Sequence, residues 1–247
     1  MNVVILGATK GMGRALARLM AARRDRLFLL GRNRSDLERS ARDLEVRGGF
    51  ESGSISSATC DLERPETFAP ALEAAEAALG KLDTVVVTAG LFATQDALEG
   101  DLDLTRRLLD ADFTASVLFC EHARRKLLAT GGGTLCVFSS VAGERGRKPV
   151  ALYGAAKAGL TRYLEALDHK HHLEGLKVVC VKPGFVKTGM TAGLQPPPFA
   201  GEPEAVARTV LRAIDRGAPV VYAPPVWALV MLVIRWLPRF VMRRLGF

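Results

Sequence analysis

Short apolar runs, most of them rich in β-branched residues, recur along this chain, at 3–6, 27–30, 84–88, 134–139 and 177–181, and longer amphipathic stretches rich in Ala, Leu, Glu and Arg separate them. Weaker runs at 54–61 and 219–222 extend the series. Strands apolar along their whole length need cover on both faces, and strands joined through helices run parallel. The alternation therefore predicts an α/β fold, a doubly wound parallel sheet between two helical layers. With 247 residues, 49% of them hydrophobic, the chain can bury that core as a single unit, and no internal repeat or low-complexity linker divides it. The reading takes residues 1–223 as the sheet domain and 224–247 as a C-terminal amphipathic helical tail.

Directly behind the first run, the stretch GATKGMG sets Gly7, Gly11 and Gly13 at the first strand-to-helix turn. Glycines there let a ligand's pyrophosphate approach the backbone and rest on the helix N-terminus, where unpaired N–H groups and the helix dipole favour an anion. Rossmann-like folds bind nucleotides at this turn. The spacing departs from G-x-G-x-x-G, and a tight helix-packing turn would also use glycines. A second constellation follows the 134–139 run. Tyr153 and Lys157, four apart on a helix, share a face, and Ser140 ends the strand before them. Alone, a Tyr-x3-Lys pair is usually a surface feature; its value comes from the company it keeps.

Taken in order, Gly7, Gly11 and Gly13, Asp61 with Leu62, Thr88-Ala89-Gly90, Ser140, Tyr153 with Lys157, and Pro183-Gly184 with Thr188 resemble the motifs of the short-chain dehydrogenase/reductase family over nearly the whole chain. The resemblance implies that Asp61 and Leu62 hold the adenine, that Ala89 and Gly90 flank the cofactor, and that Pro183, Gly184, Val186 and Thr188 border the nicotinamide. It adds Thr9, Lys10 and Met12 of the glycine turn to the cofactor contacts, and makes Tyr153 the acid, Lys157 its partner and ribose ligand, and Ser140 the carbonyl holder. Chemistry agrees: hydride delivery to a ketone builds negative charge on oxygen, and an ammonium beside a phenol of ordinary pKa ~10 pulls that pKa downward. Leu6 and Thr88 stand where the family has Thr and Asn. More consequential is Asp112, where the family has an asparagine whose backbone holds a water that relays protons to the lysine. Activity is expected to survive with an altered pH profile, because a carboxylate favours the charged lysine and works against the phenolate.

The second strand ends Gly31-Arg32-Asn33-Arg34, without the acid that would bind free ribose hydroxyls. Arg32 and Lys10 can clamp a 2′-phosphate, so the expected cofactor is NADP(H) and the expected direction reductive, unless both are plain solvated charges. Substrate is bounded less tightly. The basic stretch ERGRK at 144–148, between Ser140 and Tyr153, can bind a phosphate, a coenzyme A tail or an acidic carrier, or can be a solvated loop. Residues 187–200, which close over substrate in the family, are apolar and proline-rich. Within the family, GERGRKPVALYGAAKAGL, KPGFVKTGM and the tail resemble reductases of lipid-phosphate-linked keto-sugars. The expected function is an NADPH-dependent ketoreductase of such a lipid-linked or otherwise amphiphilic ketone. A 3-oxoacyl thioester reductase and a non-catalytic nucleotide-binding regulator are the alternatives.

The tail is uninterrupted apolar sequence over 226–234, followed by Arg235, Arg239, Arg243 and Arg244 with no acid. Too short to span a bilayer and flanked by Pro224, Pro225 and Pro238, it reads as two helices broken at Pro238. They suit either an anionic membrane interface, with Trp227, Trp236 and Phe240 as anchors, or packing on their own sheet or a partner subunit. The stretches 102–129 and 151–172 resemble the helices that pair across family dimers, implying a homodimer or homotetramer. The net charge of +8 suits several anionic partners, but nucleic acid is not expected, since no stacking aromatics interleave the basic residues. Cys60, Cys120, Cys136 and Cys180 lie apart in apolar surroundings with no leader in front, so they read as buried free thiols of a cytoplasmic protein, peripheral at the inner face of the membrane if the tail binds there. The DHKHH stretch at 168–172 reads as a solvated helix end rather than a metal site.

Overall fold

The computed structural model describes residues 1–246; Phe247, the last residue of the expected tail, lies outside the described residues. Its strands are β1 (Asn2–Leu6), β2 (Arg26–Gly31), β3 (Ser56–Thr59), β4 (Thr84–Val87), β5 (Gly133–Phe138), β6 (Leu176–Pro183) and β7 (Val220–Ala223). All pair in parallel, in the order β3-β2-β1-β4-β5-β6-β7. The helices are α1 (Gly11–Ala22), α2 (Arg34–Gly48), α3 (Phe68–Leu79), α4 (Gln95–Gly100), α5 (Leu102–Leu109), α6 (Ser116–Ala129), α7 (Ala151–His171), α8 (Pro203–Arg216), α9 (Val226–Trp236) and α10 (Arg239–Arg244).

The strands divide their side chains between two cores, as continuous apolar runs require. Val3 and Ile5 face the layer of α1, α2 and α8, packing with Leu16, Leu44 and Val210, whereas Val4 and Leu6 face α3, α6 and α7, packing with Leu72, Phe119 and Leu164. Between β1 and β4 the strand order reverses, so the turns leaving both strands open a crevice at the carboxyl edge of the sheet. Every expected run is a strand. The 54–61 run shrinks to four residues because β3 is the edge strand and pairs with β2 alone.

Three features differ from the sequence expectation. Residues 102–129 are not one uniform helix: α5 passes into α6 through a π-helical segment, Asp110–Ala115, whose wider turn carries Asp112. The tail breaks at Pro238 as expected, but α9 packs Trp227, Met231 and Ile234 against Val141, so Trp227 is no surface anchor. In the DHKHH stretch His171 turns inward and its Nδ1 lies 2.7 Å from Glu174 Oε1, so that residue is not solvated. The four cysteines are free and buried. No helix among the described residues is long and apolar enough to cross a membrane.

Candidate active site

The crevice begins at the glycine turn. Gly7 has φ 97°, a conformation that L side chains rarely adopt, and a Cβ on Gly13 would lie 2.3 Å from the Gly7 carbonyl oxygen. Thr88 locks this close approach by donating its hydroxyl to Leu6 O and Gly7 O, each at 3.1 Å, a role that substitution for the family's asparagine does not advertise. The resulting cavity of 320 Å³ is lined by Gly7, Thr9, Lys10, Gly11, Met12, Gly13, Arg32, Asp61, Leu62, Ala89, Gly90 and Thr188, so twelve of the expected cofactor residues converge on it. Lys10, the N-cap of α1, offers no side-chain cap, which leaves the first N–H groups of that helix open to a ligand. Lys10 and Arg32 are both exposed at its rim; Lys10 stands 3.8 Å from Asp36, and Arg32 makes no ion pair among the described residues. The structure thus presents a cradle and two cations that fit a phosphorylated dinucleotide.

Sequence reasoning missed Gly31, Cys60, Glu63, Leu91, Ala111, Gly189 and Met190, which also line the cavity. Most adjoin an anticipated residue in the chain. Ala111 had no such signal, since the π-helical segment alone brings it there. Pro183, Gly184 and Val186 are not in the lining: Val186 is buried, and Gly184 lies against the Trp227 indole with its N–H donated to Ala223 O.

Beyond Leu91 the crevice meets the second constellation. Ser139 ties α7 to β5, donating to Lys157 O at 3.0 Å and sharing a 2.6 Å hydrogen bond with Thr161. One helical turn separates Tyr153 from Lys157, whose ammonium lies 5.7 Å from the centre of the tyrosine ring; Phe92 packs edge-on against the other side at 5.2 Å. Ser140 accepts from Ala142 N at 3.1 Å, which leaves its own hydroxyl proton available. Asp112 is fully buried. Its Oδ1 accepts from Leu91 N at 2.7 Å and its Oδ2 stands 3.5 Å from Lys157 Nζ.

Burial raises the Tyr153 pKa, Lys157 pulls it down, Asp112 pushes it up again and Ser140 pulls it down; the phenol ends above its ordinary value. The expectation of a lowered tyrosine is therefore corrected: Lys157 acts in the expected sense, but burial outweighs it. Burial works against the Lys157 charge, yet the Asp112 carboxylate and Tyr153 carry its pKa upward. Asp112 itself is raised by burial despite Lys157 and Leu91 N–H.

The ERGRK loop is committed to the tail. Glu144 is nearly buried, paired with Lys182 at 2.5 Å, accepting from the Tyr222 hydroxyl at 3.1 Å and meeting Arg235 at 3.2 Å. Arg145 donates to Leu237 O and Lys148 to Arg243 O. These bonds tie the loop to the tail, and neither cation forms an ion pair among the described residues. Arg147 differs: its Nε is buried without a partner, and burial lowers its pKa. A second cavity, 440 Å³ between α7, β7 and α9, is lined by Thr161, Arg162 and Tyr222. Ser140, Tyr153 and Lys157 line neither cavity; they adjoin the 320 Å³ one through Gly90, where a Cβ would lie 3.5 Å from Lys157 Nζ.

A crevice at a sheet's switch point, adjoining a phenol set beside a buried ammonium, has the make-up of an α/β oxidoreductase. The sequence matches the short chain dehydrogenase family model over residues 1–198, and the chain belongs to that family. It is 34% identical over 245 residues, 98% of its length and 96% of the relative's, to the uncharacterised oxidoreductase Rv2073c of Mycobacterium tuberculosis. Carbonyl reductase family member 4 of Danio rerio is 29% identical, covering 86% of this chain and 90% of that one. A variant of actinorhodin polyketide ketoreductase solved with NADPH shares the fold, with a TM-score of 0.78 at 22% identity over 89% of this chain and 94% of its own.

Proposed function

We propose that this protein is an NADPH-dependent ketoreductase whose substrate is a lipid-phosphate-linked keto-sugar or another amphiphilic ketone. The observation that carries the reaction class is the grouping of Tyr153 with Lys157, whose ammonium lies 5.7 Å from the centre of the tyrosine ring, and with Ser140 at the end of the preceding strand. The glycine turn and the α1 N-terminus bind the pyrophosphate, Asp61 and Leu62 the adenine, and Arg32 with Lys10 the 2′-phosphate. The Lys10–Asp36 contact is exposed and weak, so Lys10 can exchange it for a phosphate. The dinucleotide, when bound, supplies the hydride. Ser140 donates its hydroxyl proton in a hydrogen bond to the ketone oxygen and fixes it. Tyr153 transfers its phenolic proton to that oxygen, and Lys157 stabilises the phenolate left behind. Asp112 keeps Lys157 charged throughout.

The choice of NADPH is supported by the missing acid after β2 and by Arg32; the fold neighbour solved with NADPH agrees. The substrate class is supported by the resemblance to the reductase half of the decaprenylphosphoryl-ribose 2′-epimerase system, by the exposed Met190 and Phe199 in the 187–200 segment, and by Arg147, whose unpartnered guanidinium would take the substrate phosphate. The test is NADPH oxidation with a polyprenyl-phosphoryl 2-keto-pentose and with a 3-oxoacyl thioester, beside a Tyr153→Phe control. Tyr153-dependent turnover of the lipid-linked sugar is expected. Turnover of the thioester alone transfers the enzyme to fatty-acid-type chemistry, and NADPH binding without turnover of either ketone makes it a nucleotide-binding regulator.

A further inference from the structure

The outer face of α9 has no cover. Leu229, Leu232, Val233 and Trp236 follow the i, i+3, i+4, i+7 spacing of one helical face and are 65%, 48%, 57% and 78% exposed; Phe240 on α10 adds a further aromatic at 63%. The opposite face, Trp227, Met231 and Ile234, is buried against the body. An apolar helix face left in water beside two aromatics calls for an occupant.

Charge identifies it. Arg239, Arg243 and Arg244 adjoin the face, form no ion pair among the described residues, and the tail contains no Asp or Glu. Arg235 is already held by Glu144. A second copy of the chain seated on this face would bring three more such arginines and, from its tail, no acid to meet them. Nor is the tail a loose arm able to reach a partner, because Arg145 and Lys148 hold the carbonyls of Leu237 and Arg243, and Trp227 donates to Phe199 O at 3.3 Å. An anionic bilayer surface meets both demands: its acyl boundary takes Leu229, Leu232, Val233, Trp236 and Phe240, and its headgroups take the arginines. We infer that α9 and α10 form a fixed platform by which this protein docks on anionic lipid. The platform holds whichever ketone is reduced, so its failure and that of the proposed reaction are separable.

The full chain is mixed with vesicles of phosphatidylglycerol or of phosphatidylcholine and followed by co-sedimentation and tryptophan emission. Of the two tryptophans Trp227 is already buried, so a blue shift on binding reports Trp236. Expected are binding to phosphatidylglycerol vesicles, weakened by salt, and loss of the blue shift in Trp236→Phe while co-sedimentation persists. Replacing Arg239, Arg243 and Arg244 together by Gln lowers the affinity by about fivefold per charge, roughly a hundredfold in all. Trp236→Asp with Phe240→Asp abolishes it, and unchanged NADPH binding shows that each variant is folded. Absence of binding by the native chain, or equal binding to both lipids, overturns the proposal. So does a soluble dimer that Trp236→Asp converts to monomer, which would give the face to a second copy.

Discussion

A carboxylate buried 3.5 Å from Lys157 acts on two groups at once: it holds the ammonium charged and pushes the Tyr153 phenol upward. Reduction needs the protonated phenol, so activity is present below the Tyr153 pKa and is lost as pH rises through it. Asp112→Asn removes one of the upward pushes. The alkaline limb of kcat/KM for reduction is therefore expected at lower pH in the variant, and superimposable wild-type and variant profiles would show that Asp112 does not act electrostatically. The family resemblance singled out Asp112, which stands where the family has an asparagine. The net direction at Tyr153 was not legible in the sequence, because its largest contribution is burial, which neighbouring sequence does not encode. Arg32 supplies a second test at this scale. An ionic hydrogen bond is worth about 1.5–3 kcal/mol, so Arg32→Ala should raise KM for NADPH roughly ten- to a hundredfold and leave KM for NADH little changed.

Among the elements, α9 best shows where sequence falls short. Its apolar run has no polar residue to mark a buried side, so Trp227 and Trp236 read alike, yet one is 8% exposed and the other 78%. The selection is made by Gly184 at the end of β6. A Cβ there would lie 2.0 Å from Trp227 Nε1, so only a glycine admits the indole. Gly184→Ala is expected to displace Trp227, break its bond to Phe199 O and loosen the 187–200 segment, at a cost of about 1–3 kcal/mol. Red-shifted tryptophan emission and faster proteolysis within 187–200 would report it; native emission with unchanged cleavage would show that the tail docks by other contacts. The strands were more legible, because an apolar run buried on both faces has no orientation to choose. The π-helical segment was not, since nothing in DADFTA opposes an ordinary α-turn; it packs beside α7.

At the scale of the molecule, Glu144 joins four elements: it sits in the turn after Ser140 and reaches Lys182 on β6, Tyr222 on β7 and Arg235 on α9. Burial works against its charge, but the Lys182 hydrogen bond and charge, with Tyr222 and Arg235, hold its pKa below the ordinary value. Breaking such a pair strands a buried ammonium, so Glu144→Ala should destabilise the fold by about 3–5 kcal/mol in denaturant unfolding, whereas Glu144→Met with Lys182→Met should restore much of the loss. A single variant as stable as the wild type would mean that Lys182 finds another partner or reaches water. By itself the sequence determined the layered α/β architecture, placed a glycine cluster at the first strand-to-helix turn and set Tyr153 and Lys157 on one helical face, because periodicity and spacing are local and survive in one dimension; the family resemblance joined Ser140 to them. Only the tertiary structure decided which loop cations remain unpaired, which face of α9 meets water and how Tyr153 titrates. Those depend on burial and on partners distant in the chain, and both arise only when the sheet, its helices and the tail close on one another.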